Sequence, residues 1–165
     1  MPLFTKKVEK INPEYLKVQK SKFEQVNEYY QQGSYIKALA ECIPLVKSFM
    51  LIVVEMKDKK SDLYKGILVL LCRRLLVLGY CLRELGYLDL AIAVFHFGSI
   101  ISSSDQAVRY ENKNFDDVFD AKIGAINLAR SLEFFQIPEQ ILLPADVMFE
   151  LQDLLGTMGK KIKSI

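Results

Sequence analysis

Carboxylates come closest to a chemical motif in this sequence. Asp116-Asp117-Val118-Phe119-Asp120 sets Asp116 and Asp120 four apart, on one face of a helix, with Asp117 beside them. Oxygen ligands in that arrangement suit a hard divalent cation such as Mg²⁺. Glu24 and Glu28, opposed by Glu55 and Asp58, could make a second set across two helices. Both clusters also have an ordinary explanation. Acids in a first helical turn complement the helix dipole, with Asn114 or Asp116 as the cap. Glu55 and Asp58 adjoin Lys57, Lys59 and Lys60, a setting for solvated charge.

Other chemistry is thinly represented. His96 is the only histidine, lying between Phe95 and Phe97, and is expected to be a packed or interface residue. Cys42, Cys72 and Cys81 are odd in number and form no Cys-x-x-Cys. On one helix, Cys72 and Cys81 would stand ~13 Å apart along its axis, too far to pair. Free cysteines in apolar surroundings suit a reducing compartment, and the expected location is cytoplasmic. No Gly-rich phosphate loop, nucleophile elbow or Cys/His pair occurs, so no cofactor is expected.

Composition narrows the class further. The 165 residues are 51% hydrophobic and 25% charged, which excludes bulk disorder and fits one domain over 1–165. Residues 1–12 and 157–165 read as frayed ends. A formal charge of +2 is too balanced for a nucleic-acid surface, and Lys/Arg groups lack interleaved aromatics. The opening residues hold no signal-peptide core, because Lys6, Lys7 and Lys10 interrupt them. The most apolar stretch, Ile67 to Leu82, is broken by Arg73 and Arg74, so no membrane span is expected.

The elements that would position these residues are helices, since apolar residues recur at helical spacing almost throughout. The first follows Pro13, with Tyr15, Val18, Phe23, Val26, Tyr29 and Tyr30 as its stripe, and stops at Gly33 with Ser34 placed to cap the next. The second runs from Tyr35 to Met56 with a kink expected at Pro44. The third runs from Leu63 to Leu85, ending at Gly86. The fourth, Leu88 to Ser102, is apolar nearly all round and should lie centrally. The fifth spans Phe115 to Phe135. The sixth begins near Pro144 and closes before Gly156 and Gly159. The fold class is all-α, about six antiparallel helices as three helical hairpins, stacked or closed into a bundle.

Two turns repeat a pattern: Tyr29, Gly33, Tyr35 and Ala38, then Leu82, Gly86, Leu88 and Ala91. With Leu75, Leu78, Gly79, Phe95 and Gly98, the second copy resembles the tetratricopeptide repeat (TPR). Leu75 replaces that family's Trp, Leu82 and Leu88 its Tyr, Gly98 its Ala, and Ser103 its closing Pro. Lys22 and Gln25 in the first copy stand where the family is apolar. Gly33 and Gly86 lie farther apart than the ~34-residue repeat period, which implies longer helices. Asp116, Asp117 and Asp120 separately resemble the Asp-Asp-x-x-Asp motif of isoprenoid synthases, but the second acidic motif of that family is missing. They support the alternative of a metal-dependent enzyme on an all-α bundle.

The TPR resemblance implies a protein-interaction module, an adaptor or chaperone binding a peptide segment of another protein. Its groove positions carry over to Lys20, Phe23, Asn27 and Tyr30 in the first copy, and Arg73, Leu76, Tyr80 and Arg83 in the second. The family's carboxylate-terminus clamp is incomplete, since Phe23 stands where it needs Lys and Tyr80 where it needs Asn. An internal, partly apolar segment is the expected ligand. The apolar surface of the Leu63–Ser102 hairpin suggests a homodimer.

Overall fold

The computed structural model describes residues 11–103, 109–110, 113–132 and 137–165. Six helices make up nearly all of it: α1 (Pro13–Gln31), α2 (Tyr35–Glu55), α3 (Asp62–Glu84), α4 (Leu88–Ser103), α5 (Phe115–Ser131) and α6 (Ala145–Lys161). The fold is all-α, as the periodicity implies. A two-residue antiparallel ladder, β1 (Arg109–Tyr110) with β2 (Lys113–Asn114), precedes α5.

Local chemistry explains several helix ends. Asn12 Oδ1 accepts the Glu14 N–H at 2.9 Å, and Pro13 opens α1. Ser61 Oγ accepts the Tyr64 N–H at 3.1 Å to start α3. Ser34 and Asn114 hold the N-cap positions of α2 and α5, but neither side chain makes a capping bond. Pro44 lies within α2, which stays a single helix.

The two repeated turns share one geometry. At the first, Ser34 N–H bonds Tyr29 O and Gly33 N–H bonds Tyr30 O. At the second, Tyr87 N–H bonds Leu82 O and Gly86 N–H bonds Arg83 O. Both are Schellman closures, which need a left-handed residue, and Gly33 and Gly86 supply it at φ 78° and 85°. Close helix approach follows from two further glycines. A Cβ on Gly79 would enter the Phe95 ring, and one on Gly98 the Phe119 ring.

Packing departs from three simple hairpins at the end of the chain. Helices α1 to α5 each pack on the next, whereas α6 lies against α2. Val147, Leu151, Leu154 and Met158 bury its apolar face, and Lys47 Nζ meets Asp153 Oδ2 at 2.6 Å. That burial carries the helix through Gly156 and Gly159, where it was expected to stop, against a propensity cost of about 1 kcal/mol per glycine. The segment 157–165, expected to fray, is mostly helical. Lys160 and Lys161 close α6, a 3₁₀ turn follows at Ile162–Ser164, and Ile162 and Ile165 pack on the core. At the other terminus, Ile11 is buried and Asn12 caps α1; residues 1–10 lie outside the described ones.

Before α6 the chain runs over the α3–α4 turn. Ile141 N–H donates to Leu85 O at 2.9 Å, and the Tyr87 hydroxyl donates to Ile141 O at 2.7 Å. A Cβ on Gly86 would strike the Glu139 and Gln140 backbone. Helix α2 touches α1, α3 and α6, and α3 touches α1, α2 and α4, so these two share the centre. Helix α4, expected to be central, lies between α3 and α5 and keeps an exposed stripe of Asp89, Ala93, His96, Ile100 and Ser103. His96 is thus exposed rather than packed.

Candidate functional site

A cavity of about 470 Å³ opens between α1 and α3. Helix α1 contributes Leu16, Lys17, Lys20, Phe23, Glu24 and Asn27; α3 contributes Leu70, Arg73 and Arg74; Phe49 of α2 completes the lining. Four residues carried over from the repeat pattern, Lys20, Phe23, Asn27 and Arg73, therefore share one pocket. Helical spacing explains this, since Lys20, Phe23 and Asn27 fall three and four apart.

The other carried-over residues separate from it. Tyr30 and Tyr80 stack with ring centres 6.1 Å apart, and Tyr80 meets Phe95 at 5.9 Å. The Arg83 guanidinium and Lys122 Nζ lie 5.0 and 5.3 Å from the centre of the Tyr80 ring. Burial, followed by the nearby Glu84 carboxylate, pushes the Tyr30 hydroxyl pKa up. Arg83 also borders a second cavity of about 350 Å³, walled by Leu88, Ile126, Ile137 and Pro138. Leu76 is buried at 4% exposure and serves the core instead of an open face.

The residue that sequence reasoning missed is Arg74. It is 3% exposed, and its guanidinium lies 3.5 Å from the Phe49 ring centre and 5.5 Å from that of Phe23. Nη1 donates to Gln19 Oε1 at 3.0 Å and to Leu45 O at 2.9 Å. Ser48 Oγ also donates to Gln19 Oε1, at 3.3 Å. Burial pulls the Arg74 pKa down to about 10, so it remains a cation at neutral pH. The neighbouring Cys42 and Tyr15 side chains act in the opposite direction, to a smaller extent. A partial signal existed: Arg73 and Arg74 interrupt an apolar run, and neighbours on a helix point in directions about 100° apart, so the two need not share an environment.

The acidic cluster assembles differently from a cation site. Asp116 Oδ1 accepts the Asp117 N–H, and Asp120 Oδ1 accepts the Ser99 hydroxyl at 2.8 Å. Among the described residues no three His, Cys, Asp or Glu side chains are placed to share a metal ion. This covers Asp116, Asp117 and Asp120 as well as Glu24, Glu28, Glu55 and Asp58. Among them, too, no helix is long and apolar enough to cross a membrane.

No family model, curated protein or solved structure matches the chain.

Proposed function

We propose that this chain is a protein-interaction module, a TPR-like adaptor or chaperone that takes a peptide segment of a partner between α1 and α3. The observation that carries this reading is the cavity shared by Lys20, Phe23, Asn27 and Arg73, which combines aromatic surface, an amide and cations in one recess. Such a mix provides area and directional bonds together, which is how interface anchors work. The matched closures at Gly33 and Gly86 support the TPR-like part, and buried reduced cysteines agree with a cytoplasmic setting.

A homodimer belongs to the same proposal, though its surface shifts. Among the described residues, the most exposed large apolar side chains are Leu142, Phe149 and Leu128, at 88%, 67% and 58%, outside the Leu63–Ser102 hairpin.

The test is capture from cytoplasmic extract with partner identification. Lys20→Glu with Arg73→Glu changes only exposed positions and should abolish capture while leaving the melting temperature within a few degrees. Lys160→Glu, an exposed change on α6, should leave capture intact. Equal capture by all three proteins would remove the α1–α3 face from consideration.

A further inference from the structure

The α1–α3 cavity holds more positive charge than its own residues neutralise. Among the described residues, Lys17, Lys20, Arg73 and Arg74 line it, with Glu24 as the one acid. Arg74 is the decisive member because it is buried. Its guanidinium lies between Phe23 and Phe49, both wall residues, so it is part of the wall itself. Its Nη1 bonds go to two neutral oxygens. Among the described residues, no acceptor is bonded to its Nη2 or Nε, and no carboxylate pairs with it.

A buried charge without an opposite charge costs several kcal/mol, and two neutral acceptors could be served by a neutral donor. The full cation makes sense where an anion arrives. Shape and polarity narrow the anion. Leu16, Phe23, Phe49 and Leu70 give the recess apolar walls, which disfavour a heavily hydrated phosphate. A planar carboxylate matches the guanidinium fork in two parallel bonds. The volume, at the small end of the ~300–1,000 Å³ range of ligand sites, has room for an acidic side chain and an apolar neighbour.

We infer that the cavity receives a glutamate or aspartate side chain of the bound segment, paired with Arg74 and flanked by an apolar residue. This rests on reading the α1–α3 face as the peptide site. Lys20 and Arg73 at the exposed rim steer the acid inward, so the binding weakens as salt rises.

The experiment pans a random dodecapeptide display library on the full chain and then measures synthetic versions of the enriched peptides by fluorescence anisotropy. Enriched sequences should share an acid beside an apolar residue. Replacing that acid by its amide should weaken binding to the wild type by about tenfold to a hundredfold, the worth of a charged hydrogen bond. On Arg74→Met the same replacement should change affinity less than threefold. Should Arg74→Met fail to fold, the amide replacement on wild type and the Arg73→Glu variant still decide. Enriched peptides without an acid, or an amide that binds equally well, would overturn the inference and leave the peptide site standing. No enrichment at all would overturn both.

Discussion

The Arg74 guanidinium stacks on Phe49, with its carbon 3.5 Å from the ring centre, so α2 and α3 meet through a cation and an aromatic face. Removing the whole side chain takes one donor from each of Gln19 Oε1 and Leu45 O, which keep only the Ser48 hydroxyl among side-chain donors, and leaves a hole beneath Phe23. Arg74→Ala should therefore cost about 2–4 kcal/mol. Arg74→Met keeps volume and removes the buried charge, so it should cost less than about 1.5 kcal/mol. Urea unfolding of both variants distinguishes these values, and equal losses would contradict the account.

The two turn glycines should respond unequally. Gly33 and Gly86 both have positive φ, but a Cβ on Gly33 meets open space while one on Gly86 meets the 139–140 backbone. We expect Gly33→Ala to cost about 1–2 kcal/mol, the left-handed penalty alone. Gly86→Ala adds overpacking and should reach about 2–5 kcal/mol. Thermal melts of the pair provide the comparison.

Alkaline pH should destabilise the protein through its thiols. Burial pushes up the pKa of Cys42 and Cys72, and lifts Cys81 to about 12. Above pH ~8.5 the unfolded chain releases thiol protons that the folded chain keeps, so stability is full below that pH and falls above it. The slope is up to about 1.4 kcal/mol per pH unit for each thiol. Arg74 acts in the opposite sense above pH 10, where its lowered pKa relieves a buried charge. The decline is cleanest between pH 9 and 10, read as the urea midpoint. Native protein at pH 8 should also react with a thiol reagent far more slowly than urea-unfolded protein.

Helix α6 should be held by its apolar face and hardly at all by its ion pair. Lys47 and Asp153 are 38% and 44% exposed, and such pairs contribute about 0–1 kcal/mol. Leu151 is fully buried. Asp153→Asn should cost less than about 1 kcal/mol, and Leu151→Ala about 2–5 kcal/mol. A larger effect from the aspartate would reverse this ranking.

What could be read in advance was what local chemistry controls. Gly33, Gly86, Pro13 and the charged stretch before Leu63 each carry a turn or helix end in their own residue types. The partner of α6 carries no such mark: Val147, Leu151, Leu154 and Met158 announce a buried face without saying which helix covers it. Gly156 and Gly159 misled because tertiary burial outweighed a small propensity cost. In the site, the exposed Lys20 and Arg73 were found by repeat register. Arg74 was missed because which of two adjacent arginines turns inward depends on a helix phase that α2 and α1 fix together.

The backbone of Ile141 also has a bearing on the order in which the molecule can be finished. A ribosome makes Leu85, Gly86 and Tyr87 more than fifty residues before it makes Ile141. Until then the Leu85 carbonyl lacks that donor and the Tyr87 hydroxyl lacks that acceptor. The turn between α3 and α4 is thus sealed in retrospect, by chain that emerges after it.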